Sequence, residues 1–180
     1  MRIAICDDDP KASNSLYQDI TKIAEEQLNT PQNTEPSLDP VMTRSDIFAD
    51  PDELLFAAES EHYDLAFIDI ELGDQSGIRL SNHLLRIHPD IQIIFFSGYD
   101  DYYLDVSTVD HVYFLKKPVD PERLKTALYA AQRKVLSLKD KFLTISNKQG
   151  VFRIPLQEIL FLEKSRRLIL VHTADGEVFK

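Results

Sequence analysis

Residues 63–70 read YDLAFIDI, with Leu65, Ala66, Phe67 and Ile68 apolar in succession and an acid, Asp69, close behind. A strand with one wet face alternates apolar and polar residues. A strand apolar throughout is buried on both faces, as in a parallel sheet covered on each side. The same form recurs outward in both directions. RIAIC (2–6) runs into three consecutive acids, Asp7, Asp8 and Asp9; IQIIFFSG (91–98) ends on Ser97 and Gly98; HVYFLKKP (111–118) ends on Lys117 and Pro118. Helical spacing fills the intervals. Ala12, Leu16, Ile20, Ile23 and Ala24 recur on one face from Lys11, as do Leu124, Ala127, Leu128, Ala131 and Val135 after a cap at Asp120-Pro121. IRLSNHLLRI, after Gly73 and Gly77, is amphipathic. Asp50-Pro51-Asp52-Glu53 has an N-cap, a proline at the first helical position and a Glu three residues after the cap, and predicts a helix through LLFAAESE. Pro31, Pro36 and Pro40 forbid regular structure over 29–40, and a short strand is expected near Val41–Arg44. Five strand–helix units of this kind form a doubly wound α/β domain over residues 1–136.

The pattern breaks after residue 138. FLTISNKQGVFRIPLQEILFLEKSRRLILVHTADGEVF is strand-rich, with turn signals at 147–150 and Asp175-Gly176, and predicts an all-β second unit over 138–180. Charge divides at the same place. The chain carries −10 overall, whereas residues 137–180 hold eight basic and five acidic side chains, leaving −13 for residues 1–136. Different charge in the two units suggests different partners. Composition is that of a globular protein, 43% hydrophobic and 28% charged. No apolar stretch approaches membrane-spanning length, and the N-terminus lacks the basic and apolar regions of an export signal. One cysteine, Cys6, allows no internal disulfide and fits a reducing cytoplasm. It lies in the first apolar run, as a buried structural residue does. The five histidines, 62, 83, 88, 111 and 172, show no metal-ligand spacing along the chain.

Ligands of open parallel sheets collect at the carboxyl ends of the strands. Those ends carry Asp7, Asp8, Asp9, Asp69, Ser97 and Lys117. Clustered carboxylates resist ionising together unless something positive sits among them. Two or three of them bind Mg²⁺ through oxygen with room for waters and a phosphate. One can act as a nucleophile towards phosphorus while metal and lysine offset the arriving charge.

AICDDD, FIDIELGDQSG, IIFFSG and FLKKP, in this order, make residues 1–136 similar to the receiver domain of bacterial two-component response regulators. The resemblance implies a flavodoxin-like, CheY-like fold in which Asp69 accepts phosphate from a sensor histidine kinase. It implies that Asp7 and Asp8 hold Mg²⁺ with Asp69 and the backbone carbonyl of Glu71, and that Asp9 is only a neighbour. Ser97 and Lys117 would sense the phosphoryl group, with Lys117 preferred over Lys116 because Pro118 follows it. Phe114 stands at the switch-aromatic position. Phosphorylation would then reshape the face around 98–115, where Tyr99, Tyr102 and Tyr103 also lie, and favour a homodimer. The pattern departs mildly from the family, which commonly has proline near Gly73 and threonine at Ser97; residues 29–40 read as an insertion.

Residues 138–180 resemble the opening of a LytTR-type DNA-binding domain, which implies transcriptional output. Lys164, Arg166 and Arg167, on one predicted hairpin, are candidates for contacts to DNA phosphates. A complete domain of that family needs about twice these residues, and so short a segment rarely buries enough surface to fold alone. The segment therefore reads as the N-terminal part of the output, truncated at Lys180. The alternative it raises is a receiver with incomplete output, acting as a phosphate sink or interaction protein. A Mg²⁺-dependent phosphatase with an Asp nucleophile is a further reading, but no additional catalytic acid or substrate cap is apparent. A flavin carrier on this fold would need a Ser-, Thr- and Gly-rich phosphate loop, where this chain has DDDPKAS. The expectation is a regulator rather than an enzyme.

Overall fold

The computed structural model describes residues 1–29, 44–98, 109–139, 141–147, 150–166 and 168–179. The chain divides into two compact units, Met1–Val135 and Leu136–Lys180. The first follows the order β1 (Arg2–Cys6), α1 (Pro10–Asn29), β2 (Arg44–Phe48), α2 (Pro51–Ala58), β3 (Leu65–Ile68), β4 (Glu71–Leu72), β5 (Gln75–Ser76), α3 (Gly77–Ile87), β6 (Gln92–Ser97), β7 (Tyr113–Lys116) and α4 (Pro121–Lys139). Five strands form one parallel sheet in the order β2-β1-β3-β6-β7. The chain reverses direction across the sheet between β1 and β3, which places a crevice at their carboxyl ends.

Strand alternation assigns the two faces. Ala4, Cys6, Ala66, Ile68, Ile93 and Phe95 join Leu54, Leu80 and Leu84 from α2 and α3 in one buried cluster. Ile3, Ile5, Leu65, Phe67, Ile94 and Phe96 join Leu16, Ile20, Leu124 and Ala127 from α1 and α4 in the other. The doubly covered sheet expected from the apolar runs is therefore present. Caps follow the sequence signals as well. Asp50 takes the N-cap of α2, its side chain accepting from the Asp52 amide, with Pro51 at the first turn. The Asp120 carboxylate accepts from the Arg123 amide at 2.9 Å at the start of α4. At the amino end of the sheet, Arg2 binds Asp46 through Nε (2.9 Å) and Asp64 through its backbone amide (2.7 Å), with its guanidinium 4.8 Å from the Tyr63 ring centroid.

Three boundaries differ from expectation. The second strand lies at Arg44–Phe48 rather than Val41–Arg44, of which 41–43 fall outside the described residues. Its polar residues form a sheet edge and its register comes from backbone pairing with β1, Arg2 opposite Arg44 through Cys6 opposite Phe48. The α2 helix stops at Ala58, short of Glu61. The antiparallel pair β4–β5 occupies residues 71–76 on either side of Gly73, which takes φ 59° in its turn, and ends where Gly77 opens α3. The 30–43 and 99–108 segments, which carry most of the proline-rich stretch and Tyr99, Tyr102 and Tyr103, lie outside the described residues.

The second unit contains an antiparallel hairpin of β8 (Phe142–Asn147) and β9 (Gly150–Pro155). A 3₁₀ turn at Leu156–Glu158 leads to an antiparallel sheet of β10 (Ile159–Ser165), β11 (Leu168–Thr173) and β12 (Val178–Phe179). That short turn is the one helical departure from the expected all-β reading among its described residues, apart from the end of α4. Asp175 organises the last turn by accepting from Thr173 Oγ1 (2.6 Å), and Gly176 takes φ 85° there. Ile154 and Val171 are buried, whereas Leu160, Leu162 and Ile169 are each more than half exposed. No helix among the described residues is long and apolar enough to cross a membrane.

Candidate functional site

Strand register brings the predicted residues together. Cys6 stands opposite Ile68 and Ser97 opposite Lys116, so the next residues, Asp7, Asp69 and Lys117, emerge side by side at the carboxyl edge. Backbone bonds hold them there. The Asp7 amide donates to Phe48 O (3.1 Å), the Asp69 amide to Cys6 O (2.9 Å) and the Lys117 amide to Ser97 O (2.8 Å). Lys117 Nζ then reaches Asp7 Oδ2 at 2.6 Å and Asp69 Oδ2 at 2.5 Å. It also lies 4.7 Å from the centroid of the Phe96 ring, a cation–π contact that packs the ammonium against the sheet. The preference for Lys117 over its neighbour is a matter of position. Lys116 belongs to β7 and is exposed, whereas Lys117 follows the strand end and turns inward.

Backbone amides reach other oxygens of the cluster. Asp7 Oδ1 accepts from the Asp9 amide (2.9 Å), Asp69 Oδ1 from the Ile70 amide (2.7 Å), and Asp8 Oδ2 from the Gly73 amide (3.1 Å). The last bond ties the acidic loop to the β4–β5 turn. Asp8 and Asp9 are exposed, while Asp7, Asp69 and Ser97 are buried. Phe114, on β7 opposite Phe95, is half-buried and packs against the cluster under α2 and α3. Glu71 begins β4, two residues beyond Asp69.

Carboxylate oxygens of Asp7, Asp8 and Asp69 lie within 4.8 Å of one another. Three carboxylates cluster beside one lysine, which pairs with two of them, so two negative charges remain locally uncompensated. All three donors are hard oxygens, so the set fits a divalent cation of the Mg²⁺ type.

The charges also set the pH response. Burial raises the Asp7 carboxyl above its ordinary value, against the pull of Lys117 and the Asp9 amide and with the Asp69 charge adding to it. Burial would lower the Lys117 ammonium, but its bonds and charge interactions with Asp69 and Asp7 prevail and raise it. Burial acts against the charged form of both groups; the lysine gains two partners and overcomes it, whereas Asp7 shares one cation with Asp69 and does not. Burial and the neighbouring acids push the Cys6 thiol up to about 12, as expected of a structural residue.

Asp7 thus favours its protonated form more in the folded than in the unfolded chain. Its contribution is fully present below about pH 3.8 and is lost as pH rises through the higher folded-state value. Asp7→Asn is expected to exceed wild type in stability at pH 7 in chelator, with the advantage vanishing below pH 4. Urea melts at both pH values check this, and adding Mg²⁺ should narrow the gap by stabilising wild type alone.

One residue of the site escaped the sequence reading. A Cβ on Gly77 would fall 1.8 Å from the backbone oxygen of Asp69 and 2.8 Å from Ile68 Cγ2. The signal available was a glycine at the first turn of a helix, eight residues after an acid at a strand end. Lys164 and Arg166 are exposed on and beside β10, with Arg166 at φ 55° in the turn to β11. Arg167 lies outside the described residues.

The response regulator receiver domain family model matches residues 23–129, a span that includes Asp69, Ser97 and Lys117 and begins after Asp7 and Asp8. Sensory transduction protein LytT of Bacillus anthracis is 28% identical over 120 residues, covering 64% of this chain and 49% of that protein. LytT of Bacillus subtilis is 23% identical over 179 residues, covering 99% of this chain and 67% of that protein. The chain spans about half the length of the curated relatives it matches first. Among solved structures, a CheY-like receiver domain from Methanospirillum hungatei matches with a TM-score of 0.60 and 24% identity, over 76% of this chain and 96% of the other, which shows the fold.

Proposed function

Since the chain belongs to the response regulator receiver domain family, we propose that it is a phosphorylation-controlled switch in which Asp69 is the phospho-acceptor. The observation that carries this reading is the position of the Asp69 carboxylate, beside Lys117 Nζ at 2.5 Å and clustered with Asp7 and Asp8. An Asp69 carboxylate oxygen attacks the phosphorus of a phosphohistidine on a sensor kinase. A P–O bond forms as the P–N bond breaks, the histidine nitrogen keeps the bonding pair, and an acyl phosphate remains on Asp69.

Asp7 and Asp8, with Asp69 and the Glu71 carbonyl, would hold Mg²⁺. When bound, the ion neutralises charge on the phosphoryl oxygens. Lys117 then leaves its shared position between two acids and pairs with the phosphoryl group. The Ser97 hydroxyl donates to the same group. Gly98 leaves space beside it, since no described residue lies within 4 Å of where a Cβ would stand. Phe114 follows Ser97 inward, which alters the surface around 98–115 and favours a homodimer. The output is transcriptional, through a LytTR-type domain to which the second unit belongs and in which Lys164, Arg166 and Arg167 contact DNA phosphates. Regulatory relatives, rather than enzymes, support a switch over a turnover catalyst, and a cytoplasmic location follows from a kinase partner acting on a reduced chain.

The test is the intact mass of purified protein after incubation with acetyl phosphate and Mg²⁺. One phosphate-sized increment is expected, with none in chelator and no continuing release of inorganic phosphate from a small phosphoester. Steady turnover, or no increment, contradicts the switch.

A further inference from the structure

At the amino end of the sheet, away from the acids, two histidines from separate loops meet. His62 precedes β3 and His88 caps the end of α3; their Nδ1 atoms lie 3.3 Å apart. The rings are nearly perpendicular, with centroids 4.7 Å apart. The outer nitrogen of each ring also lies near an oxygen. His88 Nε2 is 2.8 Å from Ala58 O, and His62 Nε2 is 3.5 Å from Asp90 Oδ2.

One of these partners fixes a proton. A carbonyl oxygen can only accept, so His88 carries its proton on Nε2 and presents an Nδ1 lone pair to His62. A neutral His62 that donates from Nε2 towards Asp90 likewise presents an Nδ1 lone pair. The two lone pairs then face one another across 3.3 Å, an arrangement that is repulsive unless a cation sits to one side of the line between them, within reach of both. If His62 instead puts its proton on Nδ1, it donates to His88 Nδ1 and leaves its half-exposed Nε2 to water, 3.5 Å from the Asp90 carboxylate. A cation bound between the rings replaces that proton.

We propose that His62 and His88 form a site for a borderline divalent transition-metal ion of the zinc class, ligated by the two Nδ1 atoms and completed by water. Two nitrogens bound tetrahedrally at about 2.05 Å from zinc are about 3.3 Å apart, the separation seen here. Metal-bound histidines commonly donate their other ring N–H to a carboxylate or a backbone carbonyl, and Asp90 and Ala58 O provide one of each. The site is half open, with the side chains of His62 and Asp90 each 50% exposed, which leaves room for water ligands. The loop is also held in shape. The Ile91 amide donates to His88 O (3.1 Å) and Gln92 Nε2 donates to Asp90 O (2.7 Å). Its imidazole donors distinguish it from the Asp7–Asp8–Asp69 cluster, whose oxygens suit Mg²⁺. The inference does not depend on phosphorylation. Chain spacing hid it because the ligands are 26 residues apart and are joined by the fold.

The test uses the untagged full chain, stripped with chelator and then kept in excess Mg²⁺ so that the acidic cluster is saturated. Zn²⁺ is titrated while the histidine ring nitrogens are followed by ¹⁵N NMR and bound zinc is measured after dialysis. The proposal expects one zinc retained per chain, with the Nδ1 resonances of His62 and His88 shifting together. His62→Gln should weaken retention by tenfold or more, Asp90→Asn by about tenfold, and the exposed His83→Gln not at all. Retention unchanged in His62→Gln overturns it. So does the absence of any Nδ1 shift with zinc, accompanied by protonation of the pair as pH falls from 8 to 5; that outcome makes the pair a proton-linked clasp.

Discussion

Gly77→Ala is expected to destabilise the first unit by about 3 kcal/mol, lowering its melting temperature by roughly 10 °C, and to suppress phosphorylation of Asp69. The added methyl would fall 1.8 Å from the Asp69 backbone oxygen, and backbone cannot swing aside as a flexible side chain can. Either α3 lifts from the sheet or the Asp69–Ile70 peptide rotates. The first exposes Leu80 and Leu84, both buried against β3 and its neighbours. The second breaks the 2.7 Å bond from the Ile70 amide to Asp69 Oδ1. Each route therefore disturbs the acceptor carboxylate. Thermal melts by circular dichroism, with labelling by acetyl phosphate in the same samples, check both effects. A variant that melts within a degree of wild type would show that the helix start yields without cost.

Lys117→Ala should cost about 3 kcal/mol at pH 7 in the absence of divalent cation, because removing one partner of a buried pair leaves the others uncompensated. The side chains of Asp7 and Asp69 are 0% and 10% exposed, so water screens little of their mutual repulsion. The sign with pH follows from Asp7. Burial already raises its carboxyl in wild type, and loss of the lysine removes the opposing pull, so the folded variant holds protons more tightly than the unfolded chain. The deficit must then grow as pH rises through the folded-state titration and shrink in acid. Mg²⁺ should recover much of it by replacing the missing positive charge. Urea melts at pH 4 and pH 7, with and without Mg²⁺, measure all four corners. A deficit indifferent to both pH and Mg²⁺ would mean that Lys117 acts through packing on Phe96 rather than through charge.

The sheet was legible in the sequence wherever burial was complete. β1, β3 and β6 consist of residues hidden on both faces, so hydrophobicity alone marked them, and their final acids and hydroxyl marked the functional edge. β2 was misplaced because an edge strand of sequence RSDIF shows no such run; its position comes from backbone bonds to β1 that leave no trace in side-chain pattern. Asp7, Asp8, Asp69 and Lys117 could be grouped because each follows a readable strand. The role of Gly77 could not, since a close approach between a helix start and a preceding strand is a property of three-dimensional path. The His62–His88 pair was hidden for the same reason. In the second unit, turn residues such as Asp175-Gly176 placed the hairpins, while the short 3₁₀ turn at Leu156–Glu158 carried no helical period to detect.

The central claim, that Asp69 is the residue that carries phosphate, is tested most directly by trapping the acyl phosphate. The full chain is treated with acetyl phosphate and Mg²⁺ and reduced with borohydride, which converts a phosphorylated aspartate to homoserine. The peptides are then sequenced by mass spectrometry. The account predicts homoserine at position 69, dependent on Mg²⁺, with Asp7 and Asp8 unmodified. Homoserine at Asp7 or Asp8 instead, or phosphate gained with no reducible aspartate, would contradict it.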